Sequence, residues 1–140
     1  LPSPPPQAVP LLVRFVRRTD REPLAQVRAI FTLIATAPSS NEVVACITDF
    51  LHRTRSVQTQ VDVLNALGNP RVSDERLLDA ISQALGSPDE QVRRTAIEVI
   101  GRIGPSAVRK SKNRLEAVAA DNSETSNVRA AAVKVLKEIR

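Results

Sequence analysis

Cys46 and His52 come first when chemistry is sought, because a thiol beside an imidazole can serve as nucleophile and base. They stand six residues apart in a stretch of helical spacing, whereas helical side chains meet at i, i+3 or i, i+4. A buried thiol on an apolar helix, with an imidazole at the helix end, is the plainer reading. His52 is the only histidine and Cys46 the only cysteine, so neither a multi-histidine metal site nor a thiolate cluster can be assembled. Asp74, Glu75 and Asp79 invite a reading as paired acids. Their position before an apolar stripe fits helix-start acids, favoured by the helix dipole, on a solvated face. Gly68, Gly86, Gly101 and Gly104 make no phosphate-cradling loop. The run Arg109-Lys110-x-Lys112-x-Arg114 is the strongest candidate for an anionic ligand, against a solvated helix face. These residues predict no catalytic group, no metal site and no cofactor.

The elements that carry them are helical throughout. Residues 1–7 read as a Pro-rich, extended linker, and residues 8–140 as the folded domain. Val9, Leu12, Val13 and Val16 mark a first helix, and Leu24, Val27, Phe31 and Ile34 a second, after a break at 19–23. Ser39-x-x-Glu42 resembles a capping box for a third helix bearing Val43, Ile47, Phe50 and Leu51. A fourth carries Val57, Val61, Leu64 and Leu67 and stops at Gly68, a candidate left-handed cap. Ser73 is placed to cap the fifth, with Leu77, Leu78, Ile81 and Leu85 inward. In Gly86-Ser87-Pro88-Asp89-Glu90, Gly86 ends that helix, Ser87 caps the next, Pro88 takes its first position and Glu90 completes a capping box. The sixth ends at Gly104-Pro105. Residues 106–120 form a more polar helix with Val108, Leu115, Val118 and Ala119 inward, and the last helix turns Val128, Ala132, Val135, Leu136 and Ile139 inward.

Eight helices in four hairpins follow, with repeats at about 8–38, 39–70, 71–105 and 106–140. Val128 to Arg140 repeats Val92 to Pro105 after thirty-six residues, and Val61 to Asn69 lies over Ile97 to Pro105 at the same shift. The first step, Phe31 to Val61, is thirty, which a shorter link or a capping variation explains. A hairpin cannot bury its apolar stripe alone, so neighbours must stack.

Composition bounds the rest. The chain has 140 residues, three Phe and no Tyr or Trp, so its core is aliphatic and few residues suit base stacking. The +5 net charge is uneven. Cations outnumber carboxylates seven to four in residues 1–55 and eight to four in 106–140, but fall short at five to seven in 56–105. An acidic middle between basic ends is a poor nucleic-acid track. No apolar run approaches the roughly eighteen residues that span a bilayer. One cysteine is compatible with a reducing, cytoplasmic compartment. The lack of an initiator Met and the Pro-rich start fit a piece of a longer protein.

Val92-Arg93-x-x-Ala96, followed by Ile100-Gly101-Arg102-Ile103-Gly104-Pro105, resembles the second helix of a HEAT repeat. Val128-Arg129-Ala130-Ala131-Ala132 resembles it again, Val27-Arg28 more weakly, and Leu64 to Arg71 resembles the helix end and turn. The resemblance implies an all-α right-handed solenoid of four such hairpins, a non-enzymatic scaffold within a larger protein and a protein partner held on the concave face. That face is lined by the second helices. Removing the core positions leaves Arg94, Glu98 and Arg102 on the third repeat. Beside them fall Gln58, Asp62, Ala66 and Asn65 on one side, then Ala130, Lys134, Lys137 and Glu138 on the other, with Arg28, Thr32 and Thr36 from the first repeat. HEAT repeats often pair a turn Asp with the Arg of Val-Arg. Ser87 and Ser123 stand at that turn position here, so Arg93 and Arg129 are expected to bond turn backbone, or Asp89 and Glu124. The alternative function is a module for anionic ligands, nucleic acid or acidic protein, through the basic ends. A subunit like the HEAT-like bilin lyases ranks third. No membrane is expected as a partner. Val135, Leu136 and Ile139 at the last helix need cover, which further repeats, a partner or self-association would supply.

Overall fold

The computed structural model describes residues 5, 7–18 and 21–139. The linker expected at 1–7 therefore lies largely outside the described residues, as do Thr19, Asp20 and Arg140. Among the described residues nine α-helices run in chain order: α1 Ala8–Arg17, α2 Pro23–Thr36, α3 Asn41–Arg53, α4 Val57–Leu67, α5 Glu75–Gln83, α6 Glu90–Ile103, α7 Pro105–Lys110, α8 Lys112–Ala120 and α9 Ser126–Lys137. A 3₁₀ turn, Ala84–Gly86, extends α5. The helices form four hairpins stacked as an α-solenoid. The second helices pack in series, α2 on α4, α4 on α6 and α6 on α9, while α1 packs on α3 and α3 on α5.

The aliphatic stripes set this order. Val9, Val13 and Val16 bury one side of α1; Val27, Ile30, Leu33 and Ile34 one side of α2; and Ala96, Ile97, Val99 and Ile100 most of α6. Nearly every helix shows the spacing of three and four that puts its apolar residues on one face. The shorter first repeat has a simple origin. The α2–α3 link is residues 37–40, whereas the α4–α5 link is the longer stretch 68–74.

Several local expectations are corrected. The helix expected at 106–120 is two helices, giving nine rather than eight. Ser111 departs from helical dihedrals (φ −96°, ψ 8°), is buried, and is at once the C-cap of one helix and the N-cap of the next. Leu24 and Phe31 are exposed, because the stripe α2 buries runs through Val27, Ile30 and Ile34 and leaves them on the other arc. Three caps fall later than expected. Ser40 rather than Ser39 accepts the Val43 N–H, Asp74 rather than Ser73 accepts from Arg76 N–H at 2.9 Å, and Asp89 rather than Ser87 accepts from Gln91 and Val92 N–H. Ser87 accepts from Asp89 N–H at 3.2 Å instead, and Pro88 stays outside the helix. An aspartate two residues before the donor closes its own turn, which moves the helix start to it.

Gly68 is not left-handed. At φ −75° and ψ 58° it sits in an inverse γ-turn that Asn69 N–H closes on the Leu67 carbonyl at 2.8 Å. A side chain there would meet the Arg102 guanidinium, whose Cζ lies 2.9 Å from the Cβ position. The left-handed region belongs to Gly104, at φ 129°, where the chain leaves α6 for α7.

Candidate functional site

The exposed arcs of α2, α4, α6 and α9 carry the residues expected to line a ligand face. On α6, Arg94, Glu98 and Arg102 all reach solvent, and Arg94 Nε donates to Glu98 Oε1 at 3.2 Å. On α4, Gln58 Nε2 donates to Asp62 Oδ1 at 2.8 Å. Arg102 crosses between the two helices and donates from Nη2 to Asn65 Oδ1 at 2.5 Å, with its guanidinium over Gly68. Ala66 is buried, at 5% exposure, on the stretch of α4 that Arg102 crosses, and so drops out of the stripe. On α9, Ala130, Lys134, Lys137 and Glu138 are exposed. On α2, Arg28 is exposed while Thr32 and Thr36 are half-buried, their hydroxyls donating back to the Arg28 and Thr32 carbonyls.

Two features of this face escape the sequence pattern. Phe31, one turn from Arg28 on α2, is 50% exposed and is the only aromatic side chain on the four second helices. The signal for it was present, since Val27, Ile30, Leu33 and Ile34 make a fuller stripe than one that includes Phe31. Between α6 and α9 a groove of about 300 Å³ has Gly101, Ala131 and Val135 as its floor and Glu98, Arg102, Lys134 and Glu138 as its walls. Gly101 opens this approach: a Cβ there would stand 3.1 Å from Val135 Cγ2. Close packing of a neighbouring helix accounts for a glycine that costs α6 about 1 kcal/mol against alanine.

The third and fourth hairpins are joined by charge. Arg93 donates from Nε and Nη2 to the two carboxylate oxygens of Glu124, each at 2.8 Å, and from Nη1 to the Ser87 carbonyl at 2.9 Å. Side-chain exposure is 19% for Arg93 and 7% for Glu124. The Arg93 hydrogen bonds hold the Glu124 carboxyl below its ordinary range, against the opposing effect of burial. Thr125 Oγ1 donates to Glu90 Oε1 at 3.0 Å in the same joint. Arg129 makes no hydrogen bond or ion pair among the described residues.

The basic run is partly neutralised. Lys110 Nζ lies 3.0 Å from Glu75 Oε1 at the start of α5, and Lys112 Nζ lies 3.7 Å from Glu116. The break at Ser111 divides the run between α7 and α8, and Arg109 and Arg114 are exposed. Asp74 is held below the ordinary aspartate range by Arg76, whose guanidinium donates to both its oxygens. With Glu75 paired to Lys110, these acids serve helix starts and surface pairs. Cys46 is buried, and burial pushes its thiol pKa up. His52 is exposed and its Nδ1 donates to the Thr48 carbonyl at 2.8 Å. Among the described residues no three of His, Cys, Asp and Glu converge as metal ligands would, and no helix is long and apolar enough to cross a membrane.

Residues 44–137 match a family model described as HEAT repeats. The match covers more than half of the chain, begins within α3 and ends with α9, so the first hairpin lies outside it. No curated protein matches the chain.

Proposed function

The chain belongs to the HEAT-repeat family, whose members commonly serve as protein-interaction scaffolds, and on that premise we propose that it is a non-enzymatic module binding a protein partner along the concave face of α2, α4, α6 and α9. The observation that carries the reading is the exposed stripe crossing all four helices. Its side chains are tied across repeats by Arg102 and Asn65. A preorganised polar surface loses less side-chain entropy on binding. Phe31 is the anchor: interface energy concentrates on buried aromatic and arginine side chains, and here an aromatic stands one turn from Arg28. The contact residues are Arg28, Thr32, Gln58, Asp62, Asn65, Arg94, Glu98, Arg102, Lys134 and Lys137, with Phe31 added.

The test starts from a partner recovered from source extract with the 140-residue chain at low and high salt. Phe31→Ala should weaken that partner about tenfold or more. Reversing Arg94 and Arg102 together should weaken it as well. Unchanged affinity in both variants removes this face from consideration. Binding that instead falls steeply with salt, and falls with Arg109→Glu and Arg114→Glu, identifies the anionic-ligand module, since those are the two exposed cations of that run without a carboxylate.

A further inference from the structure

Arginine closes the turn edge of the first and third joints between hairpins. Arg53 reaches from the end of α3 to the Val16 and Arg17 carbonyls at the first, and Arg93 takes both carboxylate oxygens of Glu124 at the third. The second joint is built differently. Thirty-six residues before Arg93 stands Val57, and thirty-six before Glu124 stands Pro88. Arg102 and Asn65 tie the second and third hairpins on the ligand face, but no guanidinium crosses their turn edge among the described residues.

A pocket of about 220 Å³ opens there, between α3 and α4 of one hairpin and α5 and α6 of the next. Leu64 and Val92, both buried, form its floor, and Leu51 and Ala84, half-buried, its sides. Its polar members include His52, Gln60 and Gln83, and no carboxylate, lysine or arginine lines it. The hydrogen bonds already made decide what these groups offer. His52 Nδ1 donates to the Thr48 carbonyl at 2.8 Å, so in the neutral ring Nε2 carries the lone pair and accepts. Gln60 Nε2 donates to the Thr54 carbonyl at 2.9 Å, which holds the side chain and leaves Oε1 to accept. Two acceptors over an aliphatic floor, with no charge to balance, select a neutral ligand that has an apolar body and an N–H or O–H. An apolar cavity of about 150 Å³ holds a benzene ring, so the larger pocket here admits two fused rings.

We propose that this pocket binds a small neutral aromatic molecule of the indole or phenol class, its N–H or O–H donated to His52 Nε2 or Gln60 Oε1. The bound ring bridges the second and third hairpins at the edge where the third joint has Arg93 and Glu124. Both hairpins have a neighbour on either side, so the pocket belongs to the interior of the array. Gln60 and Leu64 stand on the arc of α4 opposite Gln58, Asp62 and Asn65, as their spacing on a helix requires. The site is therefore separate from the ligand face, and its failure leaves that reading standing.

Titration of the isotope-labelled 140-residue chain with indole, followed through its amide chemical shifts, is the test. Indole should saturate with a dissociation constant on the order of 1 mM or below, moving the amides of Leu51, Gln60, Ala84 and Val92. Benzofuran has the same shape with an ether oxygen in place of the N–H, and should bind about tenfold or more weakly. Ala84→Leu, which fills the pocket, should abolish the shifts. His52→Phe and Gln60→Leu together in one chain should erase the preference for indole over benzofuran. Circular dichroism should show unchanged helix content in each variant. Shifts that do not saturate up to about 10 mM indole overturn the proposal. Equal affinity for the two compounds, or binding indifferent to Ala84→Leu, does the same. If Ala84→Leu also releases a partner protein that inserts a tryptophan side chain, the pocket is part of a docking surface and the free-ligand reading is overturned.

Discussion

Helices α6 and α9 carry the same pattern thirty-six residues apart, yet they live differently. Helix α6 lies between α4 and α9, whereas α9 has α6 and α8 beside it and no following second helix among the described residues. Ile97 is fully buried and its counterpart Val133 is 40% exposed; Arg93 is bonded on three nitrogens and its counterpart Arg129 on none among the described residues. Residue type set the spacing in both. Neighbours set the burial, and burial sets how much a residue contributes to stability.

The largest effect that sharpens this comparison is in the core. Ile97→Ala should cost about 3 kcal/mol in urea unfolding, while Val133→Ala at low protein concentration should stay within about 0.5 kcal/mol. Equal costs would mean that α9 is covered in solution and would break the contrast. Next comes the charged joint. Arg93→Ala should cost about 2 kcal/mol, because it strands a carboxylate that is only 7% exposed, and Arg129→Ala should be near neutral at the same protein concentration.

Gly104→Ala should cost about 1–2 kcal/mol. The backbone there, at φ 129° and ψ −176°, lies in a region almost confined to glycine, and α6 needs it to hand the chain to α7. Gly68→Ala tests a different cause, since its dihedrals suit alanine and only the far end of the Arg102 side chain must move.

The smallest effect is pH dependence. The Glu124 carboxyl is lowered in the folded chain, so its stabilising effect is present above the ordinary glutamate pKa of 4.5 and is lost as pH falls through the lower folded value. Thermal melts from pH 7 downward should show wild-type stability falling in that acidic window. Arg93→Ala should flatten most of that part of the curve, because only the Thr125 N–H, at 2.9 Å, then still lowers Glu124. The first joint supplies the contrast. There Arg53 donates from Nη2 to the Val16 carbonyl at 2.7 Å and from Nη1 to the Arg17 carbonyl at 3.3 Å. Carbonyls do not titrate, so Arg53→Ala should lower stability by about 1 kcal/mol and leave the acid limb unchanged.

By itself the sequence determined the helices, their stops at glycine and proline, the four hairpins and the stacking order, because periodic apolar residues and backbone-restricted residues act locally. The thirty-six-residue shift made the family legible. It also offered turn backbone, Asp89 and Glu124 as partners for Arg93 and Arg129; Arg93 takes the Ser87 carbonyl and Glu124, and Arg129 takes none of them among the described residues. Tertiary structure alone decided the rest. Which of two equivalent residues is buried depends on what stacks over it, so Ile97 and Val133 part company. Phe31 shares helical spacing with the core of α2 but falls on its open arc. Asp89 rather than Ser87 became the cap, because two good capping side chains compete within one turn and only the packed turn selects between them. Lys110 left the basic run for Glu75, thirty-five residues away, a pairing created when the fourth hairpin came to rest on the third.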